Sequence, residues 1–403
     1  MHKAMINIFQ AEKIISKNIH LFSIKECPLI ESYQRILRED IFADRDQPAF
    51  DKVLMDGIAI NFSEWKEGRR YFKIQDIQAA GTKALKLKNS NNCIEVMTGG
   101  VLPEGTDCVI PVEHIQVQKK SAKVNDLIQV KRMQNILRQG SDYKKGSRLL
   151  KWGTHLSPPT VAVAAAVGKK KIKVSRRPKI AIISTGDELV DIGKPVKSFQ
   201  IRTSNSYLLH AALQKNSFSE TQIFHLKDDR RVMIQEIGRI LKNFDVVILS
   251  GGVSMGKFDY VPEVLVKLGV KVLFHKVRQK PGKPFWFGVK KNGPAVFALP
   301  GNPASTLVCF YRYVLPQLKR SSGLNRMPHE FAVLSEDVRT SSSLTNFLPV
   351  TVDFHKDGQL RAQPISSSGS GDYLALAKSD GFVELVEGQR HFAAKTSVPF
   401  YRW

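Results

Sequence analysis

The stretch 179–189, Lys179-Ile180-Ala181-Ile182-Ile183-Ser184-Thr185-Gly186-Asp187-Glu188-Leu189, reads as an unbroken apolar strand ending in a glycine turn. A second stretch repeats this grammar: Asp245-Val246-Val247-Ile248-Leu249-Ser250-Gly251-Gly252-Val253-Ser254-Met255-Gly256-Lys257-Phe258-Asp259-Tyr260. A strand that is apolar at every position is buried on both faces, as in a sheet flanked by helices. Around these two the pattern predicts helices near 204–216, 229–243, 260–268 and 303–319, and strands at 220–226, 271–275, 285–289 and 295–299. Alternation of this kind indicates an open α/β sheet, whose ligands bind beyond the carboxyl ends of the strands.

A third turn, Leu299-Pro300-Gly301-Asn302-Pro303-Ala304-Ser305, follows a third strand. Any one such turn serves tight strand-to-helix packing. Three on one sheet edge make an anion site, because each brings backbone N–H groups to a helix start. The candidates are Thr185, Gly186, Ser250, Gly251, Gly252, Ser254, Pro300, Asn302 and Ser305. No GxxxxGK[ST] loop and no GxGxxG after a strand occurs, so the anion is held differently from that of P-loop or dinucleotide enzymes. The stretch 276–291 carries six basic residues and no acid. Within it, Pro281 and Pro284 stiffen the chain around Gly282, so Lys276, Lys280 and Lys283 are presented on a rigid loop suited to an oxyanion. Glu188, Asp228, Asp229 and Asp259 fall at strand-to-helix turns, where a carboxylate either caps a helix or helps hold Mg²⁺ beside phosphates. The pair Asp228-Asp229 directly precedes a helix and suits a cap best.

The rest of the chain reads differently. Residues 1–45 suggest two helices, 7–18 and 28–40, the second with Ile30, Tyr33, Ile36 and Leu37 on one face. Residues 57–135 hold short β-rich pieces at 71–77, 93–97, 108–111 and 127–131, and 161–167 fits a short packed helix. Residues 323–403 return to short strands, such as 347–354 and 382–385, and suggest a small barrel or sandwich. Across 403 residues the net charge is +24. It amounts to +1 over 1–120, +10 over 121–175, +14 over 176–320 and −1 over 321–403, so the excess lies with the motifs. Four scattered cysteines without zinc spacing point to buried reduced thiols in a cytoplasmic protein. No apolar run approaches the ~20 residues of a membrane span, and no signal peptide is visible.

Taken in order and spacing, Ser-Thr-Gly-Asp-Glu-Leu, Ser-Gly-Gly-Val-Ser-Met-Gly-Lys-Phe-Asp-Tyr, Lys-Pro-Gly-Lys-Pro and Leu-Pro-Gly-Asn-Pro-Ala-Ser resemble the molybdopterin molybdenumtransferase family. This is the bacterial MoeA type, also found as the C-terminal domain of gephyrin. The N-terminal half matches it through Met55-Asp56-Gly57-Ile58-Ala59, Met97-Thr98-Gly99-Gly100 with Asp107, and Gly140-Ser141-Asp142. The resemblance implies four parts: a helical linker domain (1–45 plus 143–175), a small β-rich module (46–142), an α/β molybdopterin-binding catalytic domain (176–322) and a C-terminal β-barrel (323–403). It also implies a reaction. Adenylylated molybdopterin loses AMP with Mg²⁺, and molybdate enters the dithiolene. By position, Glu188, Asp228 and Asp259 would serve metal and phosphates, with Glu188 and Asp259 as metal ligands. Lys276, Lys280 and Lys283 would hold molybdate or the pterin phosphate. In the homodimer that the resemblance implies, Asp56, Thr98 and Asp142 would reach the cleft from the other subunit. The molybdopterin adenylyltransferase would be a transient partner.

The chain departs from the family pattern at Ile58, where a tyrosine is common, at Leu137 with Arg138 beside it, and at Ser141. It also departs at 347–350, Phe-Leu-Pro-Val, where an arginine is common; a serine of 367–370 matches the family's Gly/Ser turn. Two other function classes compete. The cluster Lys169, Lys170, Lys171, Lys173, Arg176, Arg177 and Lys179 could bind nucleic acid, but no nucleic-acid motif accompanies it and it sits at a domain junction. A scaffold of the gephyrin kind finds no support, since the lysine loop is intact.

Overall fold

The computed structural model describes residues 5–18, 20–253, 259–325, 327, 329–340 and 343–403. The chain forms two compact units, one of Met1–Glu39, Trp152–Ser157 and Lys171–Trp403, the other of Asp40–Lys151 and Pro158–Lys170.

The first unit is built on a six-stranded sheet. Its strands are β1 (Ile180–Thr185), β2 (Thr221–Leu226), β3 (Val246–Ser250), β4 (Val270–His275), β5 (Trp286–Lys290) and β6 (Ala295–Leu299), in the spatial order β2-β1-β3-β6-β5-β4. Pairs β1–β2, β1–β3 and β3–β6 are parallel, while β5 is antiparallel to both β6 and β4. Only β5 is reversed, so the other five strands end at one edge. The helices are α1 (Asn205–Lys215), α2 (Arg230–Asn243), α3 (Val261–Lys267), α4 (Pro303–Cys309) and α5 (Leu315–Ser321), with a π-helical turn Phe310–Val314 between the last two.

The continuous apolar runs are explained by what covers the sheet. Ile180, Ile182, Val246, Ile248, Phe297 and Leu299 face one core with α1, α4 and α5. Ala181, Ile183, Val247, Leu249, Val296 and Ala298 face a second core with α2 and α3. Both faces are dry, so no polar alternation survives in the sequence. The helix Ile8–Lys17, started by a capping box between Asn7 and Gln10, adds Ile8, Ala11 and Ile15 to the first core.

In the C-terminal region five strands close on themselves: Thr345–Phe354, Leu360–Pro364, Glu330–Leu334, Ser397–Arg402 and Gly381–Leu385, the last pairing back to the first. This barrel encloses Val350, Ala362, Val383, Leu385 and Phe400. A buried ion network ties it to the α/β part. Arg312, on the π-helical turn, donates from Nε to Glu384 Oε2 at 2.8 Å and from Nη1 to Glu12 Oε2 at 3.1 Å. Glu384 also accepts the Tyr401 hydroxyl at 2.8 Å, and Arg320 reaches Glu12 at 3.1 Å. Burial alone would raise the Glu12 carboxyl, but Arg312 and Arg320 outweigh it and hold it below the ordinary range.

The second unit carries its own six-stranded sheet, in the order Cys108–Pro111, Gly57–Ile60, Asn92–Val96, Tyr71–Gln78, Ser121–Val124, Ile115–Gln118. Gly57 is placed by close approach: φ is +155°, and a Cβ there would lie 2.0 Å from the Ile110 carbonyl oxygen. The helix near 161–167 forms as Pro158–Ala166.

Three expectations fail locally. The helix at 28–40 is absent. Pro28 ends a strand, a single 3₁₀ turn covers Leu29–Glu31, and Gln34 is left-handed at φ 61°. Ile30 is 90% exposed while Leu37 is fully buried, so the four apolar residues never shared a face. No strand forms at 127–131, where Leu127 is 91% exposed in a turn after Asn125. The single helix at 303–319 is interrupted by the π-helical turn that aims Arg312. The four cysteines are free and buried, as expected.

Removing one partner of a buried ion pair strands the other in low dielectric. Arg312→Leu is expected to lower stability of the first unit by about 3–5 kcal/mol, read as a lower urea midpoint by tryptophan fluorescence. The double variant Arg312→Leu/Glu384→Leu should lose less than the single one.

Candidate active site

Strand polarity decides where the candidate residues meet. The loops after β1, β2, β3, β4 and β6 all leave the same edge of the sheet. They carry Gly186–Glu188, Asp228, Gly251–Gly252 and Asp259, Lys276–Lys283, and Pro300–Asn302. The chain passes from β2 across β1 to β3, so the order reverses between β1 and β3, and there an α/β sheet opens a crevice.

A cavity of about 60 Å³ lies at this point, bounded by Thr185, Glu188, Asn205, Ser250, Gly251 and Gly301 among others. Gly251 is left-handed (φ +97°), and a Cβ there would lie 2.6 Å from the Thr185 carbonyl oxygen, so the β1 and β3 turns touch through backbone. Asn205, at the start of α1, donates from Nδ2 to Ser250 Oγ at 2.9 Å and to the Gly301 carbonyl at 2.6 Å, joining the β3 and β6 turns. Its Oδ1 and the Thr185 hydroxyl are buried without a hydrogen-bond partner. Orphaned polar atoms beside a polar cavity mark a place for a polar ligand. Asn302 Nδ2 donates to Ser370 Oγ at 2.7 Å, and Ser370 O accepts the Ala304 N–H at 3.1 Å, which singles out Ser370 within the 367–370 turn. Pro300 and Ser305 are buried beneath this contact. Ser254 lies outside the described residues.

The lysine loop is pinned from several sides. Lys276 has a left-handed backbone (φ 81°), which a non-glycine residue seldom adopts. Its N–H bonds the Phe285 carbonyl at 2.9 Å and its carbonyl accepts the Ile6 N–H at 3.3 Å. Gln279, fully buried, donates from Nε2 to the Pro281 carbonyl at 3.1 Å and accepts the Tyr313 hydroxyl at 2.5 Å. Gln279–Lys280 pairs with Thr345–Asn346 of the barrel, and Arg278 pairs with Glu387 at 2.9 Å. Among the described residues Lys276, Lys280 and Lys283 have no carboxylate partner, so three cations stand uncompensated on a rigid loop.

The acids form a group of their own on the same sheet edge, on the loops after β1, β2 and β3. The Asp228 carboxyl is pushed above the ordinary carboxylate range, first by partial burial and then by the Asp187 charge, with further repulsion from Glu188 and Asp259. Asp229, not Asp228, is the helix cap, accepting the N–H groups of Arg231 and Val232. Among the described residues no three His, Cys, Asp or Glu groups could enclose a metal ion. The set fits Mg²⁺, which takes one or two carboxylates and otherwise keeps water and phosphate oxygens, and whose charge would relieve this repulsion.

In the second unit, Asp56 Oδ1 accepts the Thr98 N–H at 2.6 Å and the Thr98 hydroxyl at 2.7 Å, which holds the Asp56 carboxyl below the usual range. Both residues are exposed. Asp142 sits on a separate turn, its N–H on the Gln47 carbonyl at 2.9 Å, with no hydrogen bond to Asp56 or Thr98. Asp107 is structural, accepting the Phe62 N–H at 2.7 Å and Arg132 Nε at 2.8 Å.

Sequence reading missed Asp187, Asn205 and Gln279. The first lay inside the quoted motif. Asn205 sits in Arg202-Thr203-Ser204-Asn205, which looks like an ordinary helix start.

Three family patterns tile the chain: "MoeA N-terminal region (domain I and II)" over 6–168, "Probable molybdopterin binding domain" over 181–320 and "MoeA C-terminal region (domain IV)" over 332–403. The chain belongs to the MoeA family of molybdopterin molybdenumtransferases. It is 39% identical to the molybdopterin molybdenumtransferase of Synechocystis sp. over 99% of this chain and 100% of that one. To the Bacillus subtilis protein of the same name it is 32% identical, over 92% and 87%. The molybdopterin biosynthesis moeA protein of Pyrococcus horikoshii OT3 superposes with a TM-score of 0.85 at 27% identity, covering 99% of this chain and 100% of that one. The family's place is molybdenum cofactor biosynthesis.

An acid raised by its neighbours binds more protons folded than unfolded. Stability therefore falls as pH rises from the ordinary aspartate range through the raised Asp228 value. Asp228→Asn should raise the melting temperature at pH 7 without Mg²⁺, and the gain should shrink toward pH 4. Calorimetric melts at the two pH values check this.

Proposed function

We propose that this chain releases AMP from adenylylated molybdopterin and inserts molybdate into the dithiolene, with Mg²⁺. The observation that carries the reading is the meeting, at one sheet edge, of glycine turns, three uncompensated lysines and mutually repelling carboxylates. Two anionic substrates must be brought together there, and fixed positive charge offsets their repulsion while positioning supplies a further large part of the rate.

The groups divide the chemistry among them. The N–H groups of Gly186, Gly252, Gly301 and Asn302 at the three turns bind phosphate oxygens, the Gly251 N–H being taken by the Leu299 carbonyl. Asn205 keeps the β3 and β6 turns in register, and its free Oδ1 and the Thr185 hydroxyl accept or give the remaining hydrogen bonds. Lys276, Lys280 and Lys283 hold molybdate or the pterin phosphate. Glu188 and Asp259 would hold Mg²⁺, which when bound neutralises charge on the phosphoanhydride oxygens. Asp228 sits beside them and orients the water that replaces AMP on phosphorus.

The proposal extends to a homodimer in which Asp56, Thr98 and Asp142 serve the site of the other subunit, to a transient encounter with the molybdopterin adenylyltransferase, and to a cytoplasmic setting. Among the described residues no helix is long and apolar enough to cross a membrane.

Purified protein given adenylylated molybdopterin, Mg²⁺ and molybdate should release AMP and reconstitute an apo-molybdoenzyme. Failure at both, where a characterised family member succeeds, overturns the reading. Lys280→Ala and Asp259→Ala should each reduce turnover by roughly 10²–10³-fold with unchanged melting. Mixing inactive Asp56→Asn protein with inactive Asp259→Asn protein, after subunit exchange, should restore part of the activity. No restoration overturns the shared site alone.

A further inference from the structure

The basic cluster around 169–179 is only partly absorbed by the fold. Lys171–Ser175 is a strand paired with Ile24–Pro28, and Arg176 forms two hydrogen bonds with Asp245 at 3.0 and 2.7 Å. Arg177 is different: its Nε is buried without a hydrogen-bond partner.

Arg177 opens on a cavity of about 330 Å³ in the first unit, within the range of small-molecule sites. Arg35, His155 and Lys319 share the lining, and no acidic residue does. Arg176 lines it too, already paired with Asp245, and Glu31 and Glu220 act on Arg35 from outside. Burial lowers the basicity of Arg35, and the Arg177 charge lowers it further. Burial likewise lowers Lys319, and burial together with the Lys319 charge lowers His155. Arg35 also donates from Nη2 to the Ser175 carbonyl at 2.7 Å, but no carboxylate lines the cavity beside Arg177 and Lys319, and cations crowded there favour an anion. The lining also has apolar members, Ile36, Pro178, Phe218 and Leu324. The cavity is far larger than one bare ion needs, so its complement is an anionic head on an apolar body.

The place is also distinct from the candidate active site. Pro178 and Arg177 precede β1, so the cavity lies at the amino end of that strand. Thr185 ends it, five residues beyond Ile180, a span of about 17 Å at the usual rise.

We propose that this cavity is a second ligand site that takes a small organic phosphate monoester. The phosphate is held by Arg177, Lys319 and Arg35, and its apolar body lies against Ile36 and Phe218.

Phenyl phosphate is the probe, titrated calorimetrically into the full-length protein. Binding is expected in the wild type and, undiminished at this site, in Lys280→Ala. Arg177→Met and Lys319→Met should each weaken it about tenfold, as loss of a charge-assisted hydrogen bond does, without lowering turnover. Inorganic phosphate should bind more weakly than phenyl phosphate. A wild-type crystal soaked with phenyl phosphate should place the phosphate at Arg177 Nε, which tests the proposal even if neither variant folds. The proposal is overturned by no binding to the wild type, by loss of all binding in Lys280→Ala, by unchanged affinity in both methionine variants, or by density only at the 276–283 loop. Equal affinity for inorganic phosphate overturns the apolar half of it.

Discussion

The gathering of the candidate residues at one sheet edge depends on the direction of one short strand, Trp286–Lys290. Because it runs against its two neighbours, β4 and β6 both end where β1 and β3 end, joined by the lysine loop and a short turn instead of helical crossovers. The lysine loop after β4 and the Pro-Gly-Asn turn after β6 therefore stand with the turns of β1 and β3. Gly288 shows how closely the neighbours approach: a Cβ there would lie 2.7 Å from the Lys271 carbonyl oxygen. Were this strand parallel instead, its two neighbours would need long crossovers to share an edge.

On that edge, opposite charges are each held short of neutralisation. The carboxylates repel one another enough to raise Asp228, and the lysines lack carboxylate partners. Direct pairing of the two sets would stabilise the free protein and close the site to anions. The loop is instead fixed without using these lysines, by Gln279, Tyr313 and the Phe285 carbonyl, and by the Arg278–Glu387 pair. Rigidity here comes largely from neutral hydrogen bonds and from an arginine, which leaves the ammonium groups available to a ligand.

Much of the α/β part was legible because a strand buried on both faces writes itself as an uninterrupted apolar run, as in 180–183 and 246–249. The glycine turns were legible because a close backbone approach admits few residues. Amphipathic spacing misled at 28–40, where Ile30 and Tyr33 face solvent and only Ile36 and Leu37 are buried. The π-helical turn left no trace, since Phe310–Val314 has the composition of any buried helix. Asn205 and Gln279 were opaque for another reason. Their importance lies in partners 45 and 34 residues away in the chain, and a single polar letter does not disclose a long-range hydrogen bond.

The cysteines carry a last consequence. Cys27, Cys93, Cys108 and Cys309 are all buried, and burial pushes the thiols of Cys93 and Cys108 up to about 12 and that of Cys309 higher still. These three do not ionise at physiological pH, and thiolate is the form that ligates soft metals or exchanges with other sulfur. If the proposed reaction brings an ene-dithiolate and a thiophilic metal to this protein, these positions offer no competing thiolate. On the proposed reaction, the sulfur that meets molybdenum is the substrate's own, and the enzyme can let the finished cofactor go.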